Sequence, residues 1–133
     1  MRKHLIILVL LMAGVMVSCS GCLAVAVGAG AAGTVAYLAG DVEAEEPYGM
    51  DAMYQATREA FDELDLPVVK ADKDALSAAV VARDAADKRI TVKLKAATES
   101  STSISVRVGT FGDEVKSRLI YNKIRENLKA RTG

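Results

Sequence analysis

Arg89-Ile90-Thr91-Val92-Lys93-Leu94-Lys95-Ala96, followed after a polar link by Ser101-Thr102-Ser103-Ile104-Ser105-Val106-Arg107-Val108, decides the fold. In the first stretch Ile90, Val92 and Leu94 alternate with Thr91, Lys93 and Lys95. In the second, Ile104, Val106 and Val108 alternate with Ser103, Ser105 and Arg107. Successive side chains of a strand point to opposite faces. Strict alternation therefore predicts two strands, each with one face in a core and the other in water. The link around Glu99-Ser100 fits a hairpin turn, which makes the pair antiparallel.

Working outward, Leu76 to Arg83 carries Leu76, Ala78, Val80 and Ala82 on one face, and Val68 to Asp72 is a short strand before it. Asp84-Ala85-Ala86-Asp87 fits a turn, since Asp side chains hydrogen-bond turn backbone. Asp41-Val42-Glu43-Ala44-Glu45 alternates and predicts a first strand ending near Pro47. Two segments have helical spacing. Asp51 to Leu64 puts Met53, Ala56, Ala60, Phe61 and Leu64 on one stripe, with Asp51 as N-cap and Pro67 just past the end. The second helix runs from the cap Asp113 to about Arg131, with a stripe of Val115, Leu119, Ile120, Ile124 and Leu128. The order β-α-β-β-β-β-α predicts an α+β two-layer sandwich. An antiparallel sheet of about five strands carries both helices on one face and leaves the other face wet.

The chain begins differently. Arg2, Lys3 and His4 precede an uncharged apolar run, Leu5 to Val17, and then Val17-Ser18-Cys19-Ser20-Gly21-Cys22. This is the tripartite pattern of a secretory signal with cysteine at the cleavage point, as in bacterial lipoproteins. Met16-Val17-Ser18-Cys19 fits a lipobox; Ser20-Gly21-Cys22 is the alternative acylation site. The apolar run is shorter than the ~20 residues a spanning helix needs. Residues 1–22 are thus read as signal and lipobox, 23–40 as an Ala/Gly-rich tether, and 41–133 as the folded domain. The expected location is the cell envelope, on the periplasmic side. The outer membrane is favoured over the inner where the host has one. The membrane is then a partner through the acylated cysteine. Gly28-Ala29-Gly30-Ala31-Ala32-Gly33 formally matches a dinucleotide fingerprint. It has no room for the strand that must precede it, and Asp41 comes too early for the ribose contact.

Composition narrows the function. The 133 residues hold 17 basic and 17 acidic side chains, two cysteines, one histidine and no tryptophan. From Cys19 on, 15 basic residues stand against 17 acidic, a net charge near −2. That is no footprint for nucleic acid, which marks its binders with a strongly basic stripe. The only histidine is His4, in the signal, and no cysteine follows Cys22. The mature chain therefore lacks the usual nucleophile-base pairs and the imidazole and thiolate ligands of metal sites. Ser103 or Ser105 beside Lys93 or Lys95 reads as a solvated strand face. Asp84 and Asp87 lack EF-hand spacing. No cofactor and no enzymatic activity are expected. The Gly109-Thr110-Phe111-Gly112-Asp113 link reads as structural, since Asp113 already places a negative oxygen at the helix start.

What remains is the polar sheet face, where Arg89, Lys93, Lys95 and Arg107 cluster. It would present a basic surface to an anionic envelope polymer or protein partner. The alternative is a small-molecule or lipid-binding lipoprotein with a cleft between helices and sheet.

Ser20-Gly21-Cys22, Tyr37-Leu38-Ala39-Gly40-Asp41-Val42-Glu43-Ala44, Ala56 with Ala60, and Ser105-Val106-Arg107-Val108-Gly109-Thr110-Phe111-Gly112-Asp113-Glu114 together carry a resemblance. The chain is similar to the small bacterial lipoproteins grouped as domain of unknown function 3568. The resemblance covers nearly the whole chain and is most specific in the Arg-Val-Gly-Thr-Phe-Gly-Asp stretch. Its register favours Cys22 as the anchor, and it implies no catalytic residues.

Overall fold

A computed structural model describes residues 35–133. The signal segment, Cys19, Cys22 and the Gly28–Gly33 run lie outside the described residues, as does most of the stretch read as a tether. The elements in chain order are β1 (Ala36–Leu38), β2 (Asp41–Glu46), α1 (Met50–Glu63), β3 (Val68–Lys73), β4 (Ser77–Arg83), β5 (Arg89–Ala96), β6 (Thr102–Val108) and α2 (Glu114–Thr132). The expected β-α-β-β-β-β-α order is present, with one short strand added at the front. All neighbouring strands are antiparallel, and the sheet order is β1-β2-β6-β5-β4-β3.

The connections explain that order. β3 to β6 form a meander joined by short turns. α1 carries the chain from β2 across to the far edge, where β3 begins. β2 then lies against β6, so the first long strand and the last strand are neighbours. Its other side meets β1, with Ala36 opposite Glu43 and Leu38 opposite Asp41. The sheet thus begins inside the stretch expected to be tether.

One face of the sheet is apolar. Val42 and Ala44, Ala78, Val80 and Ala82, Ile90, Val92 and Leu94, and Ile104, Val106 and Val108 are all buried there. Met53, Ala56, Ala60 and Phe61 of α1 and Ile120, Tyr121, Ile124 and Leu128 of α2 close over them. Burying each Val, Ile, Leu, Met or Phe among them stabilises by roughly 1.5–3 kcal/mol. This layer fills the space in which a cleft between helices and sheet would have to lie.

Several local expectations are corrected. Gly49, not Asp51, is the N-cap of α1; Asp51 lies in the first turn and its carboxylate pairs with Lys73. α1 ends before Pro67 by its own hydrogen bonds. Asp65 takes φ 53°, Leu66 N–H donates to Phe61 O at 2.8 Å, and Asp65 N–H donates to Asp62 O at 3.2 Å. That is a Schellman ending with Asp in the left-handed position. Leu76 is outside β4 and 70% exposed, because Asp74 Oδ1 accepts from the N–H groups of Leu76 and Ser77 and turns the chain there. On α2 the cap is as expected: Asp113 Oδ1 accepts from Lys116 N–H at 3.1 Å. The buried stripe is Ser117, Ile120, Tyr121, Ile124 and Leu128 instead, while Val115 and Leu119 are 78% and 54% exposed. Leu119 is one residue, about 100° of helix, from Ile120, so it points away from the sheet. Among the described residues no helix is long and apolar enough to cross a membrane.

Glu46, on the apolar face of β2, is only 5% exposed. It accepts from the Tyr121 hydroxyl and pairs with Arg125 Nε at 3.2 Å, and the guanidinium sits 5.7 Å from the Tyr121 ring centroid. This cluster ties α2 to the sheet.

At the opposite end of the sheet, the β1–β2 turn and the β6–α2 link press backbone against backbone. A Cβ on Gly40 would come within 2.8 Å of the Gly112 carbonyl carbon, and one on Gly112 would strike Ala39 O. Gly109, with φ +73°, has open space around it. Gly109→Ala should therefore carry only the left-handed penalty, about 1 kcal/mol. Gly112→Ala adds a backbone clash and should lose at least about 2 kcal/mol. Urea unfolding midpoints of the two variants would test the difference; equal losses would contradict the close approach.

Candidate functional site: the open sheet face

The register sets the open face out in rungs that run across the strands. One rung reads Glu43, Ser105, Lys93, Ala79, Asp72 across β2, β6, β5, β4 and β3. The next reads Glu45, Ser103, Lys95, Ser77. On the other side lie Arg107, Thr91, Val81 and Lys70, and beyond them Arg83 opposite Arg89. The four basic residues singled out from the sequence, Arg89, Lys93, Lys95 and Arg107, all belong to this face. Arg89, Lys93 and Arg107 line one hollow of about 800 Å³, with Thr91 and Ser105. Lys95 lines a neighbouring hollow of about 420 Å³, which also holds Lys93, Glu43, Glu45, Ser103 and Ser105.

The four are not equivalent. Arg107 is engaged within the chain: Nη1 pairs with Asp41 Oδ2 at 2.9 Å, and Nη2 donates to Thr110 O at 2.7 Å. It holds the end of β6 to the start of β2. By contrast, Arg89, Lys93 and Lys95 have no ion-pair partner among the described residues. All three lie on one face of β5: Lys93 and Lys95 are about 7 Å apart, and Arg89 is about 13 Å from Lys93, with Thr91 between them. The face is also less uniformly basic than the two strands suggest. Asp41, Glu43 and Glu45 add an acidic column on β2, two strands from the lysines. Arg83 and Lys70 add cations, each met by its own carboxylate, Asp87 at 2.9 Å and Asp72 at 2.8 Å. Glu43 and Glu45 were visible as the polar half of an alternating strand. Nothing local to the sequence showed that this strand lies beside β6.

The turn between β4 and β5 leaves no carboxylates free for a cation. Asp84 Oδ1 accepts from the N–H groups of Ala86 and Lys88, Oδ2 accepts from Lys116 Nζ at 2.8 Å, and Asp87 is paired with Arg83. Among the described residues no group of three His, Cys, Asp or Glu side chains is placed to hold a metal. The Gly109–Asp113 link carries a capped helix start, with the Asp113 carboxylate accepting from Lys116 N–H.

The sequence can be placed against known families at this point. The profile of the family described as protein of unknown function (DUF3568) matches residues 5–127. The chain belongs to this family. Comparison with curated proteins finds no match. The match covers the whole sheet, the first helix, most of the second and the cysteine region, and assigns no activity to any of them.

Two carboxylates of this DUF3568 chain titrate abnormally. Asp84 is held below the ordinary carboxylate value of 3.8, first by the hydrogen bond from Lys116, then by that from Lys88 N–H. Asp74 is lowered by the N–H of Leu76 and by the hydroxyl and N–H of Ser77. Lys116 is raised by Asp84. A depressed carboxylate contributes stability that is full above its unfolded value and is lost as pH falls through the folded one. The Asp84–Lys116 pair should thus persist through the neutral range and fail below about pH 4. Asp84→Asn should flatten the acid limb of stability against pH; an unchanged limb would show that the pair contributes nothing.

Proposed function

We propose that the protein is a lipid-anchored module of the bacterial cell envelope that binds a partner rather than transforming one. In this reading its contact surface is the open sheet face. One observation carries it: among the described residues Arg89, Lys93 and Lys95, on one face of a central strand, have no ion-pair partner, although carboxylates elsewhere on that face pair with other cations. A solvated face written only for solubility has no reason to leave its central column unmatched. Such a column speeds and orients encounter with an anionic partner, an effect that weakens as salt rises. The absence of histidine beyond position 4, and of cysteine beyond position 22, supports binding over catalysis. The anchor rests on Cys19 or Cys22 and the apolar run before them.

Crosslinking in the native envelope, followed by identification of captured components, tests the surface. Arg89→Glu, Lys93→Glu and Lys95→Glu together should abolish salt-sensitive capture, and their exposure should leave folding nearly intact. Arg107→Gln should lower stability but not capture. Equal capture by the parent and the triple variant would reduce the face to a solvated surface. The anchor is tested separately by incorporation of labelled palmitate. Cys19→Ser with Cys22→Ser should remove all label, and the single variants should show which cysteine carries it. Label in the double variant would overturn the lipoprotein reading.

A further inference from the structure

We infer that the anionic partner of the β5 cations is the β2 column of a second copy of this chain. The two open faces would pack across a two-fold axis that runs parallel to the strands and lies over β6. The inference rests on the proposed reading of the open face as the contact surface, and goes further by naming what it contacts.

A single copy leaves two charged columns unpaired among its described residues. Glu43 and Lys93 share a rung with Ser105 between them, and Glu45 and Lys95 share the next with Ser103 between. Adjacent strands are about 4.8 Å apart, so the Cα atoms of acid and lysine on one rung are separated by about 10 Å. Among the described residues neither glutamate has an ion-pair partner, nor has either lysine; Glu45 accepts only the Ser101 hydroxyl, at 2.9 Å. The serine column therefore holds two complementary charged columns apart, equidistant from β6.

That spacing is self-complementary under one symmetry. A half-turn about an axis along β6 keeps each residue's height along the strand and exchanges the two sides of β6. Glu43 of each copy then comes over Lys93 of the other, and Glu45 over Lys95, making four ion pairs. Ser103 and Ser105 face their own counterparts on the axis, leaving room under the ion pairs for bridging water. Arg107 also lies on the axis, its charge already met by Asp41 at 2.9 Å. An in-plane axis across the strands would instead set lysine over lysine and glutamate over glutamate, which like charges oppose. A contact of this kind is isologous, the commonest kind in homodimers.

The same axis suits two anchored chains. Because it preserves height along the strands, both copies leave the dimer toward their N-termini at one level, as two lipid anchors in one bilayer require. The patch is small. The three strands β2, β6 and β5 by about seven residues cover roughly 350 Å² per copy, below the size of a stable solution dimer. Confinement to a membrane raises the effective concentration and supplies what the contact area lacks.

The test uses the full chain in its membrane. Ser105→Cys, joined by a short bismaleimide, should give a dimer band above that of the chain with its native Ser105. Lys93→Glu with Lys95→Glu should reduce that band about tenfold or more, as should Glu43→Lys with Glu45→Lys, because four attractive pairs become repulsive. The four changes combined in one chain should restore it. No band from Ser105→Cys, a band indifferent to the reversals, or no restoration by the fourfold variant would each overturn the dimer. If the band is absent while the β5 reversals still abolish capture of another anionic component, the reading of the face stands and this partner does not. If capture is unchanged as well, both fall.

Discussion

The pairing of β2 with β6 is the constraint on which the rest of this structure depends. It joins residues about sixty positions apart, so it carries the largest loop-closure entropy in the sheet, a penalty that grows only slowly with length. Several contacts offset it at once. Val42 and Ala44 enter the core, Glu46 meets Tyr121 and Arg125, the Thr102 hydroxyl donates to Tyr48 O, and Arg107 closes on Asp41. These sit along the full length of the pairing. Without it, α2 would lose the Glu46 clasp, and the acidic column would not stand beside the serines of β6. The β1–β2 hairpin would be cut off from the rest of the sheet. The sheet's least local pairing thus determines both its closure and the charge pattern of its open face.

How much of this was legible follows from how local each signal is. The alternation in Arg89–Ala96 and Thr102–Val108 is a property of the segment itself, and both strands lie where it places them. Asp113 caps α2 through a hydrogen bond three residues on, which sequence spacing shows directly. β1 was missed because three residues of Ala-Tyr-Leu carry no alternation; they are a strand only because β2 offers its free edge. Ile120, Ile124 and Leu128 of the expected α2 stripe are buried; Val115 and Leu119 are apolar and correctly spaced, yet the sheet selects the face bearing Ser117 and Tyr121. The tyrosine goes inward because Glu46 waits there for its hydroxyl, and Glu46 reads locally as one more surface acid. The four cations of the open face were found from the two strands that carry them. Their unequal standing was not, since Asp41, which engages Arg107, lies 66 residues away.

A charged sheet face is usually built to stay apart from other sheets, with charges guarding against edge and face association. Here the guard is uneven. The edge strand β3 bears Lys70 and Asp72, which pair with one another, and β4 ends in Arg83, which pairs with Asp87. Those columns are electrostatically closed. The centre is open: acids on β2, lysines on β5, and between them serines too short to bridge the gap. A threonine or serine column alone would hydrate the face equally well. Flanking it with unpaired charges of opposite sign adds direction, because a visitor feels attraction on one side of β6 and repulsion on the other. Direction of that kind selects the orientation of approach even where it adds little affinity, since exposed ion pairs contribute only about 0–1 kcal/mol each. For a domain tethered to a surface by an acylated cysteine, as proposed, weak and oriented contact is the useful regime. The anchor removes most of the search, and the charge pattern then has only to decide which way the sheet turns.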